Sequence, residues 1–320
     1  MALSSVSGPA VGDVIAERFV VDTVLGRGGN AMVYRVLECG SNLPFALKLT
    51  RRTDRLSIAQ LEHEADMLEL LSPAGVGRCY ERGALVDGRA FLVTEWIDGP
   101  TIGQLGRDGP LGIVNAFRVT LAISGVLSAM HSHEIIHCDV KPLNIIVPRT
   151  AGGIAFEESR LIDFGIARKL TARSETGDLR GPVGTWAGTA DYMAPEQLAG
   201  RRTGLATDIY GLGATLFTML YGRPPYEGGE LEKVLPPVPG MPRPFMGSFV
   251  VRRLTESVAI PRDEAVPIRV RNLLTNMLCL RLEERIGSIE GVAQELRQAL
   301  ANNECSRPAL PSSTDRCCCE

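Results

Sequence analysis

Most of the side chains able to do chemistry lie in a few short segments. His137-Cys138-Asp139-Val140-Lys141-Pro142-Leu143-Asn144 sets an imidazole, a thiol, a carboxylate, an ammonium and an amide within eight residues, and Asp163-Phe164-Gly165 adds a second carboxylate. Upstream, Gly26-Arg27-Gly28-Gly29-Asn30-Ala31-Met32-Val33 supplies glycines, which let backbone N–H groups approach phosphate oxygens with no Cβ in the way. Strand-like residues flank that loop on both sides, so it reads as a hairpin and not as the strand-to-helix turn of a dinucleotide fold. Alone it is a weak signal, because glycine-rich hairpin turns are common. Lys48, between Leu47 and Leu49, is expected to be partly buried, where an unpaired ammonium is costly. Glu64 can supply one counter-charge and nucleotide phosphates another. The competing reading is an edge-strand lysine whose head reaches out to water. Only four of the 34 basic residues are Lys (48, 141, 169 and 233), so a chain that otherwise uses Arg has kept a compact ammonium at few places.

The elements that must position these groups are legible as patterns. Residues 17–49 alternate in the strand manner around the glycine break and the turn at 39–42, a three-stranded meander. Ser57 to Leu71 has apolar residues at 58, 61, 65, 68 and 71, a helical period, with Ser57 as N-cap and Pro73 as stop. Two further strands, near 78–86 and 90–97, meet at Asp87-Gly88. Helical patterns follow over 112–132, 205–222, 265–280 and 289–301, separated by irregular segments with Gly and Pro.

Five fixed residue types in the 137–144 register, at roughly one in twenty each, put an accidental match on the order of 10⁻⁴ for the whole chain. Asp163-Phe164-Gly165 and then Gly188-Thr189-Ala190-Asp191-Tyr192-Met193-Ala194-Pro195-Glu196-Gln197 follow in the order and context of the protein-kinase signature set. Over about residues 11–301 the chain resembles a Hanks-type Ser/Thr protein kinase of the bacterial-like branch. The resemblance implies an α+β, bilobal protein-kinase-like fold, with a small antiparallel β-sheet lobe carrying one helix and a larger, mainly helical lobe. The corresponding division is an extension over 1–10, an ATP-binding N-lobe over 11–97, a C-lobe over 98–301 and a disordered cysteine-containing tail over 302–320.

The resemblance also implies roles. Gly26, Arg27, Gly28 and Gly29 would cover the ATP phosphates, Lys48 would hold the α- and β-phosphates, and Glu64 would hold Lys48. Asp139 would take the proton of the substrate hydroxyl, and Lys141 would neutralise charge on the moving phosphoryl group. Asn144 and Asp163 would bind Mg²⁺, with Mn²⁺ as an alternative. Adenine would lie between Val33 and Ala46 on one side and Ile146 on the other, with Thr94 as gatekeeper and the hinge backbone at Glu95 and Ile97. Glu196 would pair with Arg285, and Asp208 would brace the catalytic loop. The implied partners are ATP, a protein substrate with a Ser or Thr acceptor, and a regulatory partner protein. Two other classes fit parts of the pattern. A pseudokinase scaffold would be signalled by loss of Lys48, Asp139 or Asp163, all of which are present. A small-molecule kinase of the aminoglycoside type would lack the Gly188-to-Glu196 segment, which is present.

Departures from the family pattern are local. Ala31 stands where a third glycine is usual, Arg281-Leu282-Glu283-Glu284-Arg285-Ile286 keeps only the central Arg of its motif and implies a looser corner, and Thr150–Glu158 reads as a lengthened loop. Cys138 replaces the Arg that ordinarily precedes the catalytic Asp and grips a phosphate on the activation loop, which a thiol cannot do. With Arg180-Gly181-Pro182-Val183-Gly184 lacking Thr, loop phosphorylation is not expected to be the on-switch, although Thr171, Ser174, Thr176 and Thr185 remain as acceptors. Cys138 reads either as a small buried substitute or as a redox-sensing thiol. The closing Cys317-Cys318-Cys319-Glu320 leaves acylation, metal capture and no role all open.

Composition excludes several classes. A net charge of −3 and pI near 5.9, with no clustered base, argue against nucleic acid as a partner. Met1 to Asp13 lacks the basic and apolar regions of a secretory signal, and the apolar stretches Val119–Met130 and Ile209–Gly222 fall short of a membrane span. The eight cysteines show no CxxC spacing, so reduced thiols and a cytoplasmic setting are expected.

Overall fold

In the strand Pro44–Thr50, Leu47 and Leu49 are buried while Ala46 and Lys48, which alternate with them, are only half-buried, the period-two signature of a sheet with two different faces. The computed structural model describes residues 8–71, 76–170, 190–226 and 254–302. Six antiparallel strands form the first sheet: β1 (Val14–Ile15), β2 (Phe19–Arg27), β3 (Ala31–Glu38), β4 (Pro44–Thr50), β5 (Cys79–Ala84) and β6 (Ala90–Glu95), in the order β1-β2-β3-β4-β6-β5. One face of this sheet packs Phe19, Tyr34, Val36, Leu47, Leu49, Phe91 and Val93 into a cluster of its own. The other face sends Ala90 and Leu92 into a larger cluster shared with the rest of the molecule.

Three readings of this half change. The meander gains an edge strand, β1, joined to β2 through Ala16 and Glu17, both at positive φ without being glycine. Lys48 is not on an edge strand: β4 lies between β3 and β6, with Lys48 opposite Val33 on one side and Leu92 on the other. The first helix, α1 (Arg55–Leu71), begins earlier than expected, because Asp54 and not Ser57 caps it. Asp54 Oδ1 accepts the Ser57 N–H at 3.0 Å, and Oδ2 accepts its hydroxyl at 2.9 Å. The expected stop at Pro73 lies outside the described residues.

Beyond Glu95 the chain is mainly helical: α2 (Ile102–Leu105), α3 (Ile113–Ser132), α4 (Pro195–Leu198), α5 (Leu205–Tyr221), α6 (Ile268–Met277) and α7 (Ile289–Ala301). The expected helix over 265–280 is shorter on both sides, with the turn Leu282–Glu284 following it. Gly222, in the left-handed region at φ 70°, ends α5 by donating its N–H to the Thr218 carbonyl. The apolar stretch around 119–130 belongs to the 20-residue α3, which is long and apolar enough to cross a membrane by length and composition alone, a test that the core helix of a globular protein also passes. The charge-free stretch itself is shorter than a span, and α3 reaches that length by including Arg118 and the residues on either side. In the fold α3 packs against α5 and α7, burying Phe117, Ile123, Leu127 and Met130.

Short ribbons set between these helices position the chemistry. β7 (Ile135–Ile136) pairs with β12 (Arg168–Lys169), and β8 (Ile145–Ile146) pairs with β11 (Arg160–Leu161). The expected long loop at 150–158 contains the small hairpin β9 (Arg149–Thr150) and β10 (Gly153–Ile154) and a 3-10 turn at Phe156–Glu158. Gly211 in α5 allows a close approach, since a Cβ there would meet the Val140 carbonyl oxygen at 2.9 Å. The helix therefore lies directly against the segment that carries Asp139.

Candidate active site

The alternation of β4 turns Lys48 inward, and α1 brings Glu64 to it. Lys48 Nζ donates to Glu64 Oε1 at 2.6 Å and to Asp163 Oδ1 at 2.9 Å. Burial works to lower the Lys48 pKa, but the two carboxylates outweigh it and hold the ammonium above its ordinary value. Asp163 is drawn down to about 2, first by the Lys48 charge and against its own burial. Burial pushes Glu64 up, with Lys48 pulling the other way. The sequence carries no local sign of the contact between Lys48 and Asp163, since it pairs this lysine only with Glu64 and phosphates.

The ribbon of β8 and β11 brings Asn144 to Asp163: the Ile162 N–H donates to the Asn144 carbonyl at 2.9 Å, one residue before Asp163. On the other side of Asn144, its Nδ2 donates to both the main-chain oxygen and Oδ2 of Asp139, each at 2.9 Å. Lys141 Nζ reaches the same Oδ2 at 2.7 Å. Burial pushes the Asp139 pKa up from its ordinary value, with Lys141 opposing, which makes it a stronger base than the same carboxylate in water.

The backbone here is strained. Cys138 at φ 65° and Asp163 at φ 67° occupy the left-handed region, which costs on the order of 1–3 kcal/mol each and persists only where surroundings over-determine it. Asp208, fully buried at the start of α5, accepts the N–H of His137 on Oδ2 at 2.9 Å and that of Cys138 on Oδ1 at 2.8 Å. His131 Nε2 adds a third bond to it at 2.9 Å. These charge-assisted bonds fix the turn that leads into Asp139. Gln197 adds another that the sequence did not reveal, donating from Nε2 to the Cys138 carbonyl at 2.8 Å.

The Cys138 thiol is buried, and that burial pushes its pKa up to about 12, with Asp208 adding to the effect. Such a group holds little thiolate at neutral pH, which favours the reading of Cys138 as a small buried substitute. Its sulfur lies 4.0 Å from the Thr203 hydroxyl, which also accepts a bond from Arg168. Phe164, buried under α1, meets His137 edge to face with ring centroids 4.9 Å apart, and Leu68 belongs to the same cluster.

The glycine-rich hairpin joins β2 to β3, with Gly26 opposite Val33 and the Gly28 N–H closing onto the Ala31 carbonyl at 2.8 Å. Arg51 donates to the carbonyls of Gly28 and Gly29 at 3.3 and 3.1 Å, a support absent from the sequence reading. Val33, Ala46 and Thr94 fall on the Lys48 face of the sheet, where Ala46 pairs with Thr94. These three, with Ile97 and Ile146, are all half-buried, as the walls of a cleft would be. Glu95 ends β6, its N–H donating to the Arg78 carbonyl at 2.9 Å. Ile146 bridges to Thr101 just past that connection.

Farther out, Arg285 and Glu196 form a buried two-pronged pair, with N···O distances of 2.9 and 3.1 Å. Arg285 also donates to the carbonyls of Cys279 and Ala206 and lies over the Tyr210 ring, so the corner expected to be looser is fully bonded. The acceptors Thr171, Ser174, Thr176 and Thr185, the Arg180–Gly184 stretch and Thr189 lie outside the described residues, as do residues 303–320 of the tail.

Among the described residues no cluster of three or more His, Cys, Asp or Glu could bind a metal unaided. Asp163 and Asn144 nevertheless suit a hard cation that takes its remaining oxygens from a phosphate chain. The ionised Asp163 has 43% of its side chain accessible, and Asn144 keeps its amide oxygen while Nδ2 is engaged.

Comparison with known proteins agrees with this geometry. A family model described as the protein kinase domain matches residues 19–299. The serine/threonine-protein kinase pkn3 of Myxococcus xanthus is 31% identical over 295 residues, covering 90% of this chain and 51% of that protein. Serine/threonine-protein kinase PknD of Mycobacterium tuberculosis is 34% identical over 216 residues, 66% of this chain and 31% of its own. The chain thus spans about half or less of the length of these curated relatives. With the matched domain running from the first long strand to the last helix, and its signature residues gathered in one cleft, the chain belongs to the protein kinase domain family.

Proposed function

We propose that this chain is an ATP- and Mg²⁺-dependent protein serine/threonine kinase, which transfers the γ-phosphoryl group of ATP to Ser and Thr hydroxyls. The observation that carries the reading is the meeting of Lys48, Glu64 and Asp163 on one side of a cleft with Asp139, Lys141 and Asn144 on the other. Phosphoryl transfer needs positioning and charge compensation more than covalent help from the protein. Lys48, held between two carboxylates, presents a fixed ammonium to the α- and β-phosphates. Asp139 has Oδ2 committed to Lys141 and Asn144, which leaves Oδ1 to orient the acceptor hydroxyl and take its proton. Lys141, beside that carboxylate, offsets negative charge on the transferred group. A divalent cation on Asp163 and Asn144 would neutralise the phosphate oxygens between these residues. The names of the relatives, serine/threonine-protein kinases, support Ser and Thr as acceptors. The test is incubation of the purified chain with γ-labelled ATP and a generic protein substrate, with and without Mg²⁺. Label on Ser or Thr only in the presence of the metal supports the reading, and label on neither, despite nucleotide binding, would favour a scaffold.

We also propose that activation-loop phosphorylation is not the on-switch. Cys138 offers no guanidinium to a phosphate, and the turn around it is held by Asp208 and Gln197. Glu64 already meets Lys48, and Phe164 is already packed on His137. Phosphatase-treated chain, or a variant with Thr171, Ser174, Thr176 and Thr185 all changed to Ala, is expected to keep most of its activity. A tenfold drop, about 1.4 kcal/mol of barrier, would instead mean that another basic residue, Arg168 or Arg173, has taken the phosphate-binding role.

A further inference from the structure

Helix α1 is unevenly anchored. Its carboxyl-terminal half buries Glu64, Ala65, Leu68 and Leu71, whereas its first two turns bury only Ser57 and Leu61, and Leu56 stands 83% exposed. Apolar packing in the half that leads into Glu64 is thus limited to Leu61 and the partly buried Ile58, and a helix end anchored by so few contacts moves at modest cost. Two polar contacts compensate. Gln60 Oε1 accepts a hydrogen bond from Asn30 Nδ2, at the tip of the glycine-rich hairpin, at 2.6 Å. His63 Nε2 donates to the carbonyl of Ala167 at 2.6 Å, just before the strand β12 that pairs with β7. Gln60 and Glu64 are four residues apart and therefore lie on one face. A Cβ placed on Gly165 would sit 3.7 Å from both Gln60 Nε2 and Glu64 Oε2, so the turn after Asp163 passes beside the pair.

We propose that Gln60 and His63 are positioning residues that set α1 in the register where Glu64 meets Lys48, Gln60 by tethering the hairpin that covers the phosphates and His63 by tethering the segment that follows Gly165. This rests on the kinase reading and adds the internal contacts that stand in for a loop phosphate. Asn30 is fixed from its other side as well, its carbonyl accepting the Arg51 N–H at 2.9 Å, so the tether acts on a hairpin already braced. The two roles differ in what they touch. Loss of the Gln60 bond frees the hairpin tip and acts on nucleotide affinity, whereas loss of the His63 bond frees the segment carrying Asp163 and acts on turnover.

The experiment uses the full chain with Gln60→Ala, His63→Ala and the conservative Gln60→Glu and His63→Gln, which keep an acceptor and a donor respectively. Steady-state kinetics are measured alongside Mg·ATP affinity by calorimetry and thermal melting. Gln60→Ala is expected to weaken Mg·ATP binding and raise KM for ATP by about three- to tenfold with kcat within about twofold, the range one lost hydrogen bond gives. His63→Ala is expected to lower kcat by about three- to tenfold with KM for ATP nearly unchanged. The conservative variants should recover most of each loss. Wild-type behaviour in both Ala variants, or conservative variants as impaired as the Ala ones while all of them melt with the wild type, would overturn the proposal. If the wild type binds Mg·ATP but transfers nothing, the kinase reading fails on its own, and the calorimetric arm still decides the role of Gln60.

Discussion

Lys48 shows why residue type and not charge alone decides this site. Its ammonium sits 2.6 Å from Glu64 and 2.9 Å from Asp163, contacts made by a compact head with freely oriented donors. A guanidinium is larger and planar, so Lys48→Arg keeps the charge and loses the geometry. That variant is expected to lose at least about tenfold in kcat/KM, and near-normal turnover would remove Lys48 from the phosphate site. The same pair sets an acid-sensitive contribution to stability. Asp163 has its pKa lowered in the fold, from the ordinary 3.8 to about 2, so its ion pair stabilises the protein above the ordinary value and is lost as pH falls through the lowered one. The gap in urea stability between wild type and Asp163→Asn should therefore narrow as pH falls from about 5 toward 3, and a gap that stays constant would contradict the pairing. Residue types at fixed spacing made Asp139, Lys141 and Asn144 legible in the sequence. The bond from Lys48 to Asp163 was not, because it joins residues 115 apart with no local signal.

At the scale of elements, legibility followed how much of the pattern was local. β3 and β4 could be read because a separate cluster covers one face of the sheet and enforces alternation. β1 could not: Val14 and Ile15 are too few to show a period, and their turn uses Ala16 and Glu17 at positive φ where Asn or Gly would be the usual mark. The cap of α1 is hidden in the sequence because Ser57 directly precedes the first periodic apolar residue, whereas the bonds run to Asp54. Asp54→Ala should lower stability, read as a lower urea midpoint with an unchanged slope, and an unchanged midpoint would remove Asp54 as the cap. Breaking the Glu196–Arg285 pair is a larger matter. Arg285→Ala leaves a buried carboxylate and should cost about 3–5 kcal/mol, while an apolar replacement of both partners should recover much of that.

For the whole molecule, the larger cluster runs without a break from Leu61, Leu68 and Leu92 to Phe164, Leu216 and Leu296, so the sheet, α1 and the helical part share one core. The cleft lies along the polar seam of that core, with Lys48 supplied by the sheet, Glu64 by α1 and Asp139, Asn144 and Asp163 by ribbons braced from α5. This division of labour was implied by the family resemblance and not by the periodicities, which assign each element a type but no neighbour. It also means that a change at Asp139 can silence the chemistry without disturbing the fold. The most direct test of the account is therefore the single-turnover rate of phosphoryl transfer by wild type and Asp139→Asn, with Mg·ATP affinity measured on the same samples. The account predicts a fall of at least about 10²-fold in the rate with affinity essentially retained, and an Asp139→Asn chain that transfers phosphate at the wild-type rate would contradict it.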